Sequence, residues 1–133
     1  MNEFGVVGNG GVGFLTLLKE FKENNNLETI LFEYLDIEYE PKFFEYLKKF
    51  KKLRIFVINK HCSLTNNKLI TLLKCLSECK YLLKIDINFE QNLKLNEKER
   101  KIIYKLFPDI SIETTKKHSY IYWINNKPII KIL

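Results

Sequence analysis

One short pattern recurs along this 133-residue chain and limits what it can fold into. Leu27/Ile30/Phe32, Leu53/Phe56/Ile58 and Leu82/Ile85/Ile87 all read Leu-x-x-apolar-x-apolar, and Phe107/Ile110/Ile112 fits with Phe in place of Leu. The first positions are 26, 29 and 25 residues apart. Alternation at period two marks a strand with one buried face. The intervals leave room for a helix that returns the chain for a parallel neighbour. A single strand-helix unit cannot bury its apolar side alone, so the units must stack on one another. In this register Lys84, Asp86 and Asn88 fall on the face away from the core.

The remaining apolar periodicity fills in the units. A first strand is expected at Phe4–Val7, followed by a helix over Val12–Lys22 that ends at Asn24-Asn25-Asn26. Leu27–Tyr34 reads as a strand. Pro41 suits a first helical turn, with Phe43, Phe44, Leu47 and Phe50 as that helix's buried stripe. Leu53–Asn59 and Leu82–Asn88 are the next strands. Between them Ser63 or Thr65 can cap a helix that buries Leu69, Leu72, Leu73 and Leu76. Asn96 with Glu99 forms a capping box, with Asn in the place of the usual Ser or Thr, and Ile102, Ile103 and Leu106 face inward. Phe107-Pro108 stops that helix before a strand at Ile110–Thr114. Ser119–Ile124, the turn Asn125-Asn126 and Pro128–Leu133 read as a terminal hairpin. The expectation is one domain over residues 1–133, with strand-helix units over about 7–112 and a hairpin cap over 113–133.

Composition narrows the class. The chain is 46% hydrophobic and 29% charged, enough for one packed core and unlike a disordered or fibrous chain. No apolar run approaches the roughly 20 residues that span a bilayer, and the start lacks a secretory pattern. Twenty Lys stand against two Arg, with 13 Asn and no Ala, a bias that points to an AT-rich genome. The formal net charge is +6 and the pI about 9.1. That mild excess leaves RNA or an acidic protein open as partners, while scarce Arg disfavours bidentate base readout. Three cysteines and no secretory pattern suit reduced thiols in the cytoplasm or nucleus. Cys62, Cys75 and Cys79 lack the paired spacing of a zinc site.

The segments Val7–Val12 and Asn24–Phe32 resemble a ribonuclease-inhibitor-type leucine-rich repeat, which runs from an I-G-x-x-G opening through a helix into N-N-x-L-x-x-L-x-L. Leu53–Phe89 resembles the last repeats of tropomodulin-like proteins. The resemblance covers about residues 7–112. It departs at the ninth repeat position, where Leu35, His61 and Glu90 replace the family's Asn or Cys. It implies a non-enzymatic scaffold that holds a larger protein or ribonucleoprotein assembly on its sheet or rims. It implies no catalytic residue.

A second pattern competes. All five glycines lie between residues 5 and 13, and Gly8-Asn9-Gly10-Gly11-Val12-Gly13 satisfies G-x-G-x-x-G. It follows an expected strand and opens an expected helix, and Glu33 lies 20 residues past Gly13. This looks like the opening of a Rossmann-type domain, a doubly wound sheet that binds an NAD-type dinucleotide. That likeness assigns the phosphates to Gly8, Gly10 and Gly13 and the ribose to Glu33.

The remaining candidates are surface residues. Lys48, Lys49, Lys51, Lys52 and Arg54 put five cations in seven residues, either a grip for phosphate or acidic protein or a solvated helix end. The apolar and mixed face expected to meet a partner comprises Leu31, Tyr34, Ile55, Val57, Leu83, Lys84 and Phe89. Tyr120, Tyr122 and Trp123 either stack bases or cap the open end of the sheet. His61 and His118 match no nucleophile motif.

Overall fold

The computed structural model describes residues 3–6, 28–36 and 43–125. The expected first helix, Gly8, Gly10 and Gly13, and the expected strand at 128–133 lie outside them. The described elements are β1 (Glu3–Val6), β2 (Thr29–Asp36), α1 (Phe43–Leu47), β3 (Ile55–Ser63), α2 (Asn66–Ser77), β4 (Lys84–Phe89), α3 (Glu97–Leu106), β5 (Ser111–Thr114) and β6 (Ser119–Ile124). They form an α/β fold with one six-stranded mixed sheet in the order β1-β2-β3-β4-β6-β5. The first four strands are parallel, and β6 runs antiparallel to both β4 and β5.

The parallel strands advance in one direction without reversal. Right-handed crossovers between successive neighbours then put the described helices α1 and α2 on the same side of the sheet. The burial pattern agrees with this. Ile30, Phe32, Phe56, Ile58, Ile85, Ile87 and Ile121 belong to one buried cluster, together with Phe43 and Leu47 of α1, Leu69, Leu72, Leu73 and Leu76 of α2, and Ile103 of α3. Phe32 and Phe56 meet edge to face at 6.3 Å, an arrangement that favours the ring quadrupoles. Burying each of these large side chains contributes about 2 kcal/mol.

Local chemistry sets the helix ends. Thr65 caps α2, its side chain accepting from the Lys68 N–H at 3.3 Å. The capping box expected at α3 is complete: the Glu99 N–H donates to Asn96 Oδ1 at 2.8 Å, and the Asn96 N–H donates to Glu99 Oε1 at 2.9 Å. Glu99 also accepts from Asn66 Nδ2 at 3.2 Å, which ties the starts of α2 and α3 together. The buried Ser119 hydroxyl accepts from the Leu93 N–H at 2.8 Å and so holds the β4–α3 loop against β6.

The described strands add to and change these expectations. Ser111–Thr114 and Ser119–Ile124 pair as an antiparallel hairpin, and the partner expected for Ser119–Ile124 at 128–133 lies outside the described residues. The hairpin's turn is closed by the Thr115 N–H donating to the His118 carbonyl at 2.8 Å and by the His118 N–H donating to Thr115 Oγ1 at 3.1 Å. β6 is hydrogen-bonded to β4 along its whole length and to β5 over Ser119–Tyr122. The fourth pattern, Phe107/Ile110/Ile112, does not extend the parallel array, because β6 takes the place beside β4 and β5 lies antiparallel at the edge. The doubly wound alternative requires β1 inside the sheet, with strands on both sides of a switch point. Among the described strands β1 stands at the edge.

Candidate functional site

The parity of each strand divides its side chains between a covered and an open face. β4 shows the division clearly: Ile85, Ile87 and Phe89 are buried, and Lys84, Asp86 and Asn88 are partly exposed, as expected from the sequence. Phe89 therefore leaves the set of partner-facing residues. It shares the parity of Ile85 and Ile87 and is only 1% exposed. Across the sheet, register aligns Leu31 with Val57, Val57 with Asp86, and Asp86 with Tyr122. A second row runs Thr29, Ile55, Lys84, Ile124. Leu31 and Ile124 are exposed and Ile55 and Val57 half-buried, so apolar residues lie on either side of the Lys84–Asp86 pair on a face that no described helix covers.

Two ion pairs lie on this face. Lys60 Nζ lies 3.7 Å from Glu33 Oε2, and Lys84 Nζ lies 3.9 Å from Asp86 Oδ2. Tyr120 and Tyr122 stack at 5.9 Å, and the Lys84 ammonium sits 6.0 Å from the Tyr122 ring centroid. The Tyr120 phenol is pushed up to about 12, first by burial and then by its hydrogen bond to the Asp86 carboxylate. Asn88 Nδ2 donates to the Asn59 carbonyl at 2.9 Å and fastens the end of β4 to β3. Between Phe32 and Tyr34 the register slips, so that three steps of β3 match two of β2, as in a β-bulge.

A second feature lies where the parallel strands begin. The Arg54 and Ile55 N–H groups both donate to the Glu28 carbonyl, at 2.8 and 3.0 Å. The Leu83 and Lys84 N–H groups both donate to the Arg54 carbonyl, at 2.7 and 3.1 Å, and the Asn125 N–H donates to the Leu83 carbonyl at 2.9 Å. These bonds set Glu28, Arg54, Leu83 and Asn125 in one row. Lys52, Lys80 and Tyr81 project beside it, and together they line an open cleft of about 480 Å³. Arg54 Nη1 is 3.2 Å from Glu28 Oε1. Tyr81 is 60% exposed and Leu83 37%.

The basic run is divided by its own apolar residues. The Phe50 N–H donates to the Leu47 carbonyl and the Leu53 N–H to the Phe50 carbonyl, both at 3.2 Å. These two tight turns bury Phe50 and Leu53 completely and leave Lys48, Lys49, Lys51 and Lys52 exposed. Only Lys52 and Arg54 of the run line the cleft. The sequence reading missed Lys80, Tyr81 and Asn125. Nothing local marks them, since they reach the cleft only because β3 and β4 begin, and β6 ends, side by side.

The other candidates are placed as follows. Glu33 is in β2, engaged with Lys60. Of Tyr34 and His61, the backbones pair with each other across β2 and β3. Among the described residues no three His, Cys, Asp or Glu side chains group as a metal site, and none of the three cysteines is in a disulfide. Burial raises the thiol pKa of Cys75 and pushes that of Cys79 up to about 11. No described helix is long and apolar enough to cross a membrane. No protein-family model, curated protein or solved structure matches the chain.

Proposed function

We propose that the chain is a non-enzymatic interaction module that seats its open sheet face on an acidic protein, as one part of a larger assembly. The reading is carried by the exposed Leu31 and Ile124 and the half-buried Ile55 and Val57, on a sheet whose opposite face supplies the core formed by the described residues. Exposed apolar area beside ion pairs suits a protein surface. The net charge of +6 disfavours a second copy of the same chain and favours an acidic partner. Of the basic run, Lys48 and Lys51 lie near Cys75 and Cys79 of α2 on the covered side, so the run itself is no part of this docking face.

The experiment starts from the full chain in a gently prepared native lysate. The expected result is one stoichiometric complex whose purified partner rebinds the purified chain and presents an acidic, apolar-centred surface. Leu31→Glu with Val57→Glu, in a variant that keeps its circular dichroism spectrum, should release that partner. Migration of the chain alone, or retention of the partner by the folded double variant, contradicts the reading. The dinucleotide reading is tested by calorimetry with NAD(H), NADP(H) and ATP. Saturable binding abolished by Gly10→Val in a folded chain would replace the scaffold reading with that one.

A further inference from the structure

We propose that the cleft at the start of the parallel strands binds single-stranded nucleic acid, with one base lying on the Tyr81 ring and the adjoining phosphates on Lys52 and Lys80. The cations come from separate parts of the chain: Lys52 precedes β3, Lys80 precedes β4, and Arg54 stands at the strand-start row. Among the described residues Lys52 and Lys80 have no carboxylate within ion-pair distance. Glu28 is committed to Arg54, and three cations against one carboxylate leave the cleft positive.

The aromatic ring selects among anions. Tyr81 is the most exposed large hydrophobic residue described, at 60%, and it stands beside the exposed Leu83. An acidic peptide would satisfy the lysines and leave the ring face without a partner. A nucleotide satisfies both, because every base has a flat π-face that stacks on an aromatic side chain. The cleft's volume of about 480 Å³ falls in the range of small-ligand sites. Duplex bases stack on one another and cannot lie on the ring, so the ligand is single-stranded.

The open sheet face is the poorer site for a polyanion despite Tyr120 and Tyr122. Those rings stack on each other, and Asp86 and Glu113 stand opposite them in register. Recognition in the cleft should be sequence-tolerant, because its one guanidinium is held by Glu28 and lysines read phosphate as point charges.

The test is fluorescence anisotropy on the whole chain at low salt. The probes are a labelled single-stranded RNA about eight nucleotides long, the DNA of the same sequence, and the RNA duplex. Saturable single-strand binding that weakens as salt rises is expected, with a log–log slope of about −0.7 per phosphate engaged. Lys52→Glu with Lys80→Glu should weaken it at least about tenfold, Tyr81→Ala about fivefold or more, and Tyr81→Phe little, because Phe still stacks. Lys98→Glu with Lys105→Glu makes the same charge change on α3 and should keep most of the affinity. Preference for RNA over DNA assigns a contact to the 2′-hydroxyl, and equal affinity places the contacts on base and phosphate alone. Either result supports the cleft.

No saturable binding overturns the proposal. So does equal loss in the α3 control, tighter binding of duplex, or displacement of the oligonucleotide by polyglutamate at matched charge. Leu31→Glu with Val57→Glu should leave the oligonucleotide affinity unchanged, so failure of protein docking and failure of this site are separable.

Discussion

The two faces of the sheet are built from alternate residues of the same strands, yet they follow different rules. On the covered face Ile30, Phe32, Phe56, Ile58, Ile85 and Ile87 are at most 1% exposed and join one cluster with the helices. On the open face their sequence neighbours Leu31, Val57 and Asp86 meet solvent and each other. Packing density leaves the first set little freedom. The second set carries little of the fold's stability and is available for recognition.

Substitution at adjacent positions should break this comparison most sharply. Phe56→Ala removes a fully buried ring and should cost about 3–5 kcal/mol of stability in urea titration. Val57→Ala, one residue on, should cost less than about 1 kcal/mol. Comparable losses at the two positions would mean the open face is itself packed. The next largest effect belongs to the capping box. Asn96→Ala leaves the Glu99 N–H without its side-chain acceptor and should cost about 1 kcal/mol, read in the same titration.

Alkaline pH sharpens the comparison from the open face. The Tyr120 phenol is raised to about 12 in the folded chain, whereas an unfolded tyrosine ionises near 10. The folded state therefore holds the proton longer. Its contribution is fully present below about pH 10 and is lost as pH rises toward 12. Tyr120→Phe should remove that part of the alkaline loss, which parallel urea titrations between about pH 9 and 11 would show. Identical pH profiles for the two proteins would remove Tyr120 from the account. The smallest effect is kinetic. With its thiol pushed to about 11, Cys79 should alkylate roughly a hundredfold more slowly at pH 8 than a thiol at its ordinary value of 9.0. Faster modification would mean that the ends of α2 and α3 open often.

Much of the covered face was legible in the sequence, because its signals are local. The alternation in Lys84–Phe89, the stripe of Leu69, Leu72, Leu73 and Leu76, and the Asn96–Glu99 box all depend on spacing within one element. Phe89 was misassigned by grouping it with exposed Leu83, although both share the core parity. Leu83 escapes burial because it precedes the strand. The pairing of β6 with β4 and β5 was not legible for a related reason. Asn125-Asn126 is a good local turn, but the pairing of β6 is decided by which strands lie beside it. The cleft was half legible. Lys52 and Arg54 stand out in a basic run, while Lys80 and Tyr81 acquire meaning only when β3 and β4 begin side by side.

The central claim is that the open sheet face is bare in the isolated chain and covered by a partner in the assembly. Leu31→Cys places a thiol at a position that is 40% exposed, and its alkylation rate can be followed by mass spectrometry in the purified chain and in the isolated complex. The account predicts rapid modification of the chain alone and strong protection in the complex. Slow modification of the isolated chain, or equal rates in the two states, would contradict it.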